Sequence, residues 1–356
     1  MRMGRGCIAL RTKSSSNGRY KLLSRRTFLG ASAAIACTAG FGIKKSHAAE
    51  YTLKWGHSMQ LNHPLTVRGI EATDKIREET GGRVDIQIFP NSQLGGDTDM
   101  ASQVRSGALE MYTPAATSFA PLVPVVGIVN TAFAFKDSAA GWAAMDGDLG
   151  AHIRSDFKRL GLHVFHRMWE NGFRHITSSE KPVLQPGDLA GMKMRVPISP
   201  MLQSMFKALG AAPTSMNVSE LYSALQTKVV DGQENPLSVI ATRNFNEVQK
   251  YCSLTNHSWD TWIQVVNLRT WDALPEELRE IVSRNMDEAA LRQREDIQSM
   301  EVALKTELEG KGMIFEMPDR DAFRVALKDA GFYAEWRGIY GEEAWSKLEQ
   351  AVGALG

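Results

Sequence analysis

Three short stretches hold the residues best suited to chemistry. "WENGFRHITS" (residues 169–178) carries Arg174 just after an Asn-Gly turn. "GMKMRVP" (residues 191–197) alternates, with Met192, Met194 and Val196 on one side and Lys193 and Arg195 on the other, until Pro197 ends it. "VVDGQENP" (residues 229–236) places Asn235 in a turn stopped by Pro236. Taken singly, each has a plain reading as a surface charge or a turn residue. Together they offer two fixed cations and an amide. A planar guanidinium can grip a carboxylate with two parallel hydrogen bonds. The chemistry expected is therefore the holding of a small organic anion.

Groups that would transform such an anion are not recognisable. The chain has no H-E-x-x-H, no P-loop and no G-x-G-x-x-G after a strand. "GHSMQ" (residues 56–60) departs from a nucleophile elbow at its last position. His163 and His166 are three apart on an extended run, which points them to opposite faces rather than at a shared metal. No cofactor and no metal is expected.

The elements that must position these residues read as α/β. Residues 51–56 and 83–89 are strand-like, with Val84, Ile86 and Ile88 alternating on one face. Residues 63–80 form a helix closed by Gly81-Gly82, residues 94–107 a second helix, and residues 109–114 a third strand. Strands separated by helical runs predict crossover units and a mainly parallel sheet, with ligands beyond the carboxyl ends of the strands. From Pro275 to about Gly310 runs one long helix, with acids at its start and glycines at its end. Leu278, Ile281, Met286, Ala289, Ile297, Met300, Leu304 and Leu308 make its apolar stripe. Thirty-odd residues span roughly 50 Å, more than one lobe needs, so the helix is expected to brace two.

The first residues read as an address. "SRRTFL" (residues 24–29) precedes a short Ala/Gly-rich apolar run, then Lys44, Lys45 and a small-residue end. That pattern is an export signal of the twin-arginine (Tat) type, with cleavage expected after Ala48. Residues 1–49 hold ten Lys and Arg and no acid, so the remainder has 31 basic against 40 acidic residues, a net charge of −9. A mildly acidic chain has no electrostatic case for nucleic acid. Cys7 and Cys37 leave with the signal, and Cys252 alone forms neither a disulfide nor a Cys metal site. No apolar stretch is long enough to span a membrane. The roughly 308 residues that remain call for two lobes.

The chain from about residue 51 to its last helix resembles the solute-binding subunit of tripartite ATP-independent periplasmic (TRAP) transporters, the DctP-like family. "FPNSQLGG" (residues 89–96), "DLAGMKMRVP" (residues 188–197), "ALGAAPTSMNVSELYSALQTKVVDGQENPL" (residues 208–237) and "YCSLTNH" (residues 251–257) carry the resemblance. It implies a two-lobed periplasmic binding protein fold, with hinge strands and a long helix spanning both lobes. Lobe I is expected at residues 49–171 plus 261–300, and lobe II at residues 172–260 plus 301–356. The resemblance assigns the carboxylate clamp to Arg195, assistance to Arg174 and a place in the cleft to Asn235. Around them the cleft is expected to include Trp169, Trp262 and Val218, with His57, Ser58 and Thr117.

Ala115 and Ile198 stand where sialic-acid-binding members carry an acidic contact and an asparagine, so sialate itself is not expected. Gln233-Glu234-Asn235 replaces the Glu-Trp of members that bind 2-oxo acids through a metal. The implied function is capture of a small organic acid in the periplasm, by a monomer that delivers it to a small and a large integral-membrane TRAP subunit. Two alternatives stay open: a binding protein that feeds a membrane sensor kinase, and an exported enzyme, which would need a cofactor site.

Overall fold

The structure, a computed structural model, describes residues 48–356. The export-signal reading of the preceding residues lies outside the described residues, as do Cys7 and Cys37. In chain order the strands are β1 (Tyr51–His57), β2 (Val84–Phe89), β3 (Met111–Thr113), β4 (Leu162–Val164), β5 (Trp169–Ser178), β6 (Lys193–Val196), β7 (Ala212–Ser215), β8 (Gly232–Asn235), β9 (Tyr251–Trp262), β10 (Val265–Asn267) and β11 (Ile314–Glu316). They form two sheets, ordered β2-β1-β3-β10-β4 and β11-β9-β5-β8-β6-β7.

The first sheet follows the local pattern closely. Val84 and Ile86 of β2 are buried while Gln87 is exposed. Helix Pro64–Glu79 buries Leu65, Gly69, Ala72 and Ile76, a stripe at helical spacing, and stops before Gly81 and Gly82, which both have positive φ. The second helix, Asp97–Ser106, begins three residues later than its sequence pattern suggests. Gly95 at φ 117 and an extended Gly96 hold the chain out of the helix until Asp97.

The expected mainly parallel arrangement holds for β2-β1-β3 and for β8-β6-β7, but not for β10, which runs antiparallel to both β3 and β4, nor for the centre of the second sheet. There β5 runs antiparallel to both β8 and β9. The reason is the connection between the lobes. The chain enters β5 from β4 and leaves β9 for β10, so this long pair carries it from the first sheet to the second and back. Trp169 pairs with Trp262 at one end and Ser178 with Tyr251 at the other. Trp262 also bridges to Ala115 beside the first sheet. The register slips between Glu170 and Gly172, where Gly172 takes φ 110. A side chain there would be strained, and the glycine lets the crossing strand bend.

Helix Glu276–Gly310 is the brace the sequence suggests, about 52 Å long at 1.5 Å per residue. Val282 takes the buried place assigned to Ile281, and Asn285 and Gln293 join the inner face. Gln293 is bonded twice to the crossing strand: its Oε1 accepts from Glu170 N–H and its Nε2 donates to Glu170 O, both at 2.7 Å. Arg294 donates to Met168 O and forks onto Asp146. Arg68, on helix Pro64–Glu79, forks onto Asp296 from the other side. The long helix is thereby tied to the first lobe and to the hinge at once.

Candidate ligand-binding site

Arg195 lies one residue before the carboxyl end of β6, beside β8 and β7. Met194 and Val196 turn into the core of the second sheet. Arg195 turns the other way and is still only 2% exposed, because the first lobe covers it. Its Nε and Nη2 both donate to Met216 O, at 3.1 and 2.7 Å, which fixes the plane of the guanidinium and leaves Nη1 directed elsewhere. Among the described residues, no carboxylate lies within 4.0 Å of it. Burial pulls its pKa down to about 9, with only distant help from Glu234 and Asp97. A desolvated cation without an acidic partner is costly to a fold.

Arg174, on β5, is the opposite case. Its Nη2 donates to Glu234 Oε1 and Glu234 O at 2.9 Å and to Asn235 Oδ1 at 3.2 Å, and its Nε reaches Glu234 Oε2. Its Nη1 donates to Asp260 Oδ2 at 2.7 Å, leaving one N–H of that nitrogen uncommitted. His257 Nε2 lies 3.1 Å from Glu234 Oε2. Asp260 also accepts from Asn171 Nδ2 at 2.9 Å and Asn130 Nδ2 at 3.0 Å. One cation cannot hold two acids low. Burial pushes Glu234 up, but the forked grip of Arg174 and the His257 contact overcome it and hold Glu234 at about 2. Asp260, with a single N–H from Arg174, stays raised by burial.

The cavity facing Arg195 is lined by Ser58, Thr117, Arg174, Val218, Asn235 and Trp262, all expected there, by Ala115, which stands at a contact position of sialic-acid-binding members, and by Asp97, Asn171 and Met59, which were not expected. Thr117 Oγ1 donates to Asp260 Oδ2 at 3.3 Å. Asn235 Nδ2 donates to Gln233 Oε1 and its Oδ1 accepts from Arg174 Nη2, so its amide orients the network. Val218 opens helix Val218–Gln226 and forms an apolar wall. Two expected residues do not line the cavity. Trp169 is buried in the core, edge-on to Trp55 at 6.2 Å. His57 lies behind Ser58, where its Nδ1 accepts from Met59 N–H at 3.2 Å and burial lowers its pKa to about 3. Trp169 is paired across the strands with the lining Trp262, and His57 precedes the lining Ser58, but both side chains are taken up by the core.

Asp97 is the first residue of its helix; its Oδ1 accepts from Tyr112 Oη at 2.9 Å, and burial raises its pKa. The sequence signal for it was present in "LGGDTD", where a glycine pair sets an acid at the first helical position. The free volume enclosed is about 20 Å³, room for about one water molecule. The lobes are drawn together over Arg195, and entry of an organic acid requires them to part.

A larger cavity, about 410 Å³, lies on the other side of the hinge between Trp142, Glu170, Phe173 and Glu301. It meets neither Arg195 nor Arg174, and size alone does not make it the site. Glu170 there accepts from Trp259 Nε1 at 2.8 Å, from Ser138 Oγ at 2.9 Å and from Trp142 Nε1. Burial still raises its pKa to about 7. Its proton is held more tightly in the folded chain than in the unfolded one. That stability is fully present below the ordinary carboxyl range and is lost as pH rises through 7. Glu170→Gln is therefore expected to gain stability relative to the parent between pH 5 and 8, by on the order of 1–3 kcal/mol. Urea unfolding across that range checks it, and parallel pH profiles would contradict it.

The fold and the site define the class: a two-lobed α/β periplasmic binding protein, with a buried guanidinium facing the cleft between its lobes. A family model described as "Bacterial extracellular solute-binding protein, family 7" matches residues 56–334. The 2,3-diketo-L-gulonate-binding periplasmic protein of Escherichia coli is 34% identical over 286 residues, 79% of this chain and 86% of that protein. A TRAP periplasmic solute-binding protein of Sulfurospirillum deleyianum, solved with bound succinate, superposes with a TM-score of 0.80 at 31% identity, covering 85% of this chain and 99% of that one. One from Polaromonas sp. JS666, bound to D-erythronate, superposes with a TM-score of 0.81 at 33% identity, with the same coverage. The chain belongs to this DctP family of TRAP solute-binding proteins. Its structural neighbours bind solutes rather than transform them. Among the described residues, no helix is long and apolar enough to cross a membrane, and no group of three or more His, Cys, Asp or Glu is arranged to hold a metal ion.

Proposed function

We propose that this protein captures a small organic acid outside the cytoplasmic membrane and delivers it to the small and large membrane subunits of a TRAP transporter. The observation that carries the proposal is Arg195, a buried cation with no acidic partner among the described residues, fixed by Met216 O and facing the cleft. The ligand carboxylate meets its Nη1. Arg174 lends one N–H, while Asn235 and Thr117 hold the network around it. The neighbours that hold succinate and D-erythronate support the size and acidity of the ligand.

The mechanism is closure about a hinge. With the lobes apart, the acid reaches Arg195. With the lobes together, water leaves and the ion pair strengthens as the local dielectric falls. The proposed lobes, residues 49–171 plus 261–300 and residues 172–260 plus 301–356, move about β5 and β9. The protein works as a monomer, exported by the twin-arginine route and cleaved near Ala48, and the closed form docks on the membrane subunits.

Thermal melting of the mature chain against a panel of organic acids tests this. A captured acid at a hundredfold its dissociation constant adds about 2.7 kcal/mol. A silent, broad panel together with an empty cleft, verified by mass spectrometry of an extract, would overturn the proposal.

A further inference from the structure

The cavity behind the hinge has the make-up of a site in its own right. Its volume, about 410 Å³, is that of a small-molecule pocket. Helix Ser138–Asp146 supplies Trp142 as a wall, β5 supplies Phe173, and the long helix supplies Ile297 and Leu304. Three buried polar residues stand among these apolar ones. Glu170 receives only neutral donors, Trp142 Nε1, Trp259 Nε1 and Ser138 Oγ, and no cation lies within 4.0 Å of it among the described residues. Asn171 Nδ2 donates to Asp260 Oδ2, which sets the amide so that its Oδ1 is an acceptor, and that oxygen has no donor. Ser238, 3% exposed, has a hydroxyl with no partner. Buried polar atoms left this way cost the fold until something answers them.

The charges around the cavity leave room for a cation. Arg294 forks onto Asp146 and lies over the Trp142 ring at 5.5 Å, so it is already engaged. Lys136 lines the cavity but is exposed and forms no ion pair with Glu170. Asp137, which caps helix Ser138–Asp146, and the exposed Glu301 add two more acids to the lining. An ionised carboxylate and an orphaned amide oxygen can only accept, and a hydroxyl accepts as well. An alkylammonium, with three N–H donors and no acceptor, is the complement of that set.

We propose that this cavity is a second binding site, separate from the acid cleft, which takes a small primary amine, with its ammonium on Glu170, Asn171 Oδ1 and Ser238 Oγ and its apolar body against Trp142, Phe173 and Leu304. The proposal does not depend on the capture reading, since neither Arg195 nor Arg174 lines this cavity. It carries its own pH signature. Burial outweighs the donors and the nearby Arg294 and brings Glu170 to about 7. The ammonium pairs with the ionised form, whose share falls from about nine-tenths at pH 8 to about one-tenth at pH 6. Apparent affinity falls with that share, while an alkylamine stays protonated throughout.

Isothermal titration of the mature chain with 2-phenylethylamine and 2-phenylethanol, which differ in the ammonium, tests this. At pH 8 the parent is expected to bind the amine about tenfold or more tighter than the alcohol. It is expected to bind the amine about tenfold more weakly at pH 6 than at pH 8. Glu170→Gln is expected to lose both the preference and the pH dependence. Equal binding of amine and alcohol at pH 8, binding of neither, or a flat pH profile in the parent would overturn the proposal, whether or not the variant folds. A preference for the amine kept in a folded Glu170→Gln would overturn it too, by placing the ammonium elsewhere.

Discussion

Replacing Arg195 by methionine is expected to weaken acid binding by roughly 1.5–3 kcal/mol or more, the scale of a charged hydrogen bond. It is expected to do so without lowering the stability of the ligand-free chain. The two effects part because Arg195 is a cation buried against a carbonyl, with no acid beside it. Burial already disfavours its charge, bringing its pKa to about 9. Removing an unpaired buried charge relieves the fold, whereas removing half of a pair damages it. Arg195→Lys is expected to bind worse as well. An ammonium cannot keep the fork on Met216 O and present a second N–H to a carboxylate in a fixed plane. Titration calorimetry and thermal melts of both variants check this. Unchanged affinity would remove the clamp, and a marked loss of ligand-free stability would make Arg195 a structural residue.

Arg174→Met is expected to remove the N–H it lends the ligand and, unlike Arg195→Met, to cost stability as well. It leaves Glu234 and Asp260 buried without their cation, a loss of about 3–5 kcal/mol in stability. The pH profile distinguishes this from a packing defect. In the parent, Glu234 titrates at about 2, below its ordinary 4.5. The stability it contributes is present above 4.5 and is lost as pH falls toward 2. Without Arg174, burial governs and the Glu234 pKa rises above 4.5. Its contribution then changes sign, favouring the fold at low pH and fading as pH rises. Urea unfolding from pH 4 to 8 is expected to show the variant least destabilised at the acid end. A uniform penalty across that range would point to packing alone.

These contrasting fates show what was legible in the sequence and what was not. The clean alternation of its strand, Met194 and Val196 going inward, set the face of Arg195, but only the family resemblance assigned it the clamp. The first strand, the helix after it and the long brace could be read for the same reason: their periodicity is local. The partners of Arg174 could not. Glu234 is 60 residues away and Asp260 is 86, and only the antiparallel pairing of β5 with β8 and β9 brings them together. Arg174 and Arg195 therefore looked alike as sequence, yet one holds the hinge together and the other faces the cleft unpaired.

Trp169 and His57 were misplaced on a similar ground. Nearness to a strand end does not say how deep a side chain sits, and the core claimed both. Asp97 and Asn171 lay within stretches already marked as helix start and turn. Their importance comes from burial and from uncommitted polar atoms, which only the assembled lobes create.

The central claim is that the ligand's carboxylate sits on Arg195. A crystal structure of the mature chain with the tightest-binding acid of the panel tests it most directly. The account predicts a carboxylate oxygen about 2.7–2.9 Å from Arg195 Nη1, the range of a charge-assisted hydrogen bond, with Met216 O still holding Nε and Nη2. An acid bound with its carboxylate on another group, and Arg195 touching Met216 O alone, would contradict it.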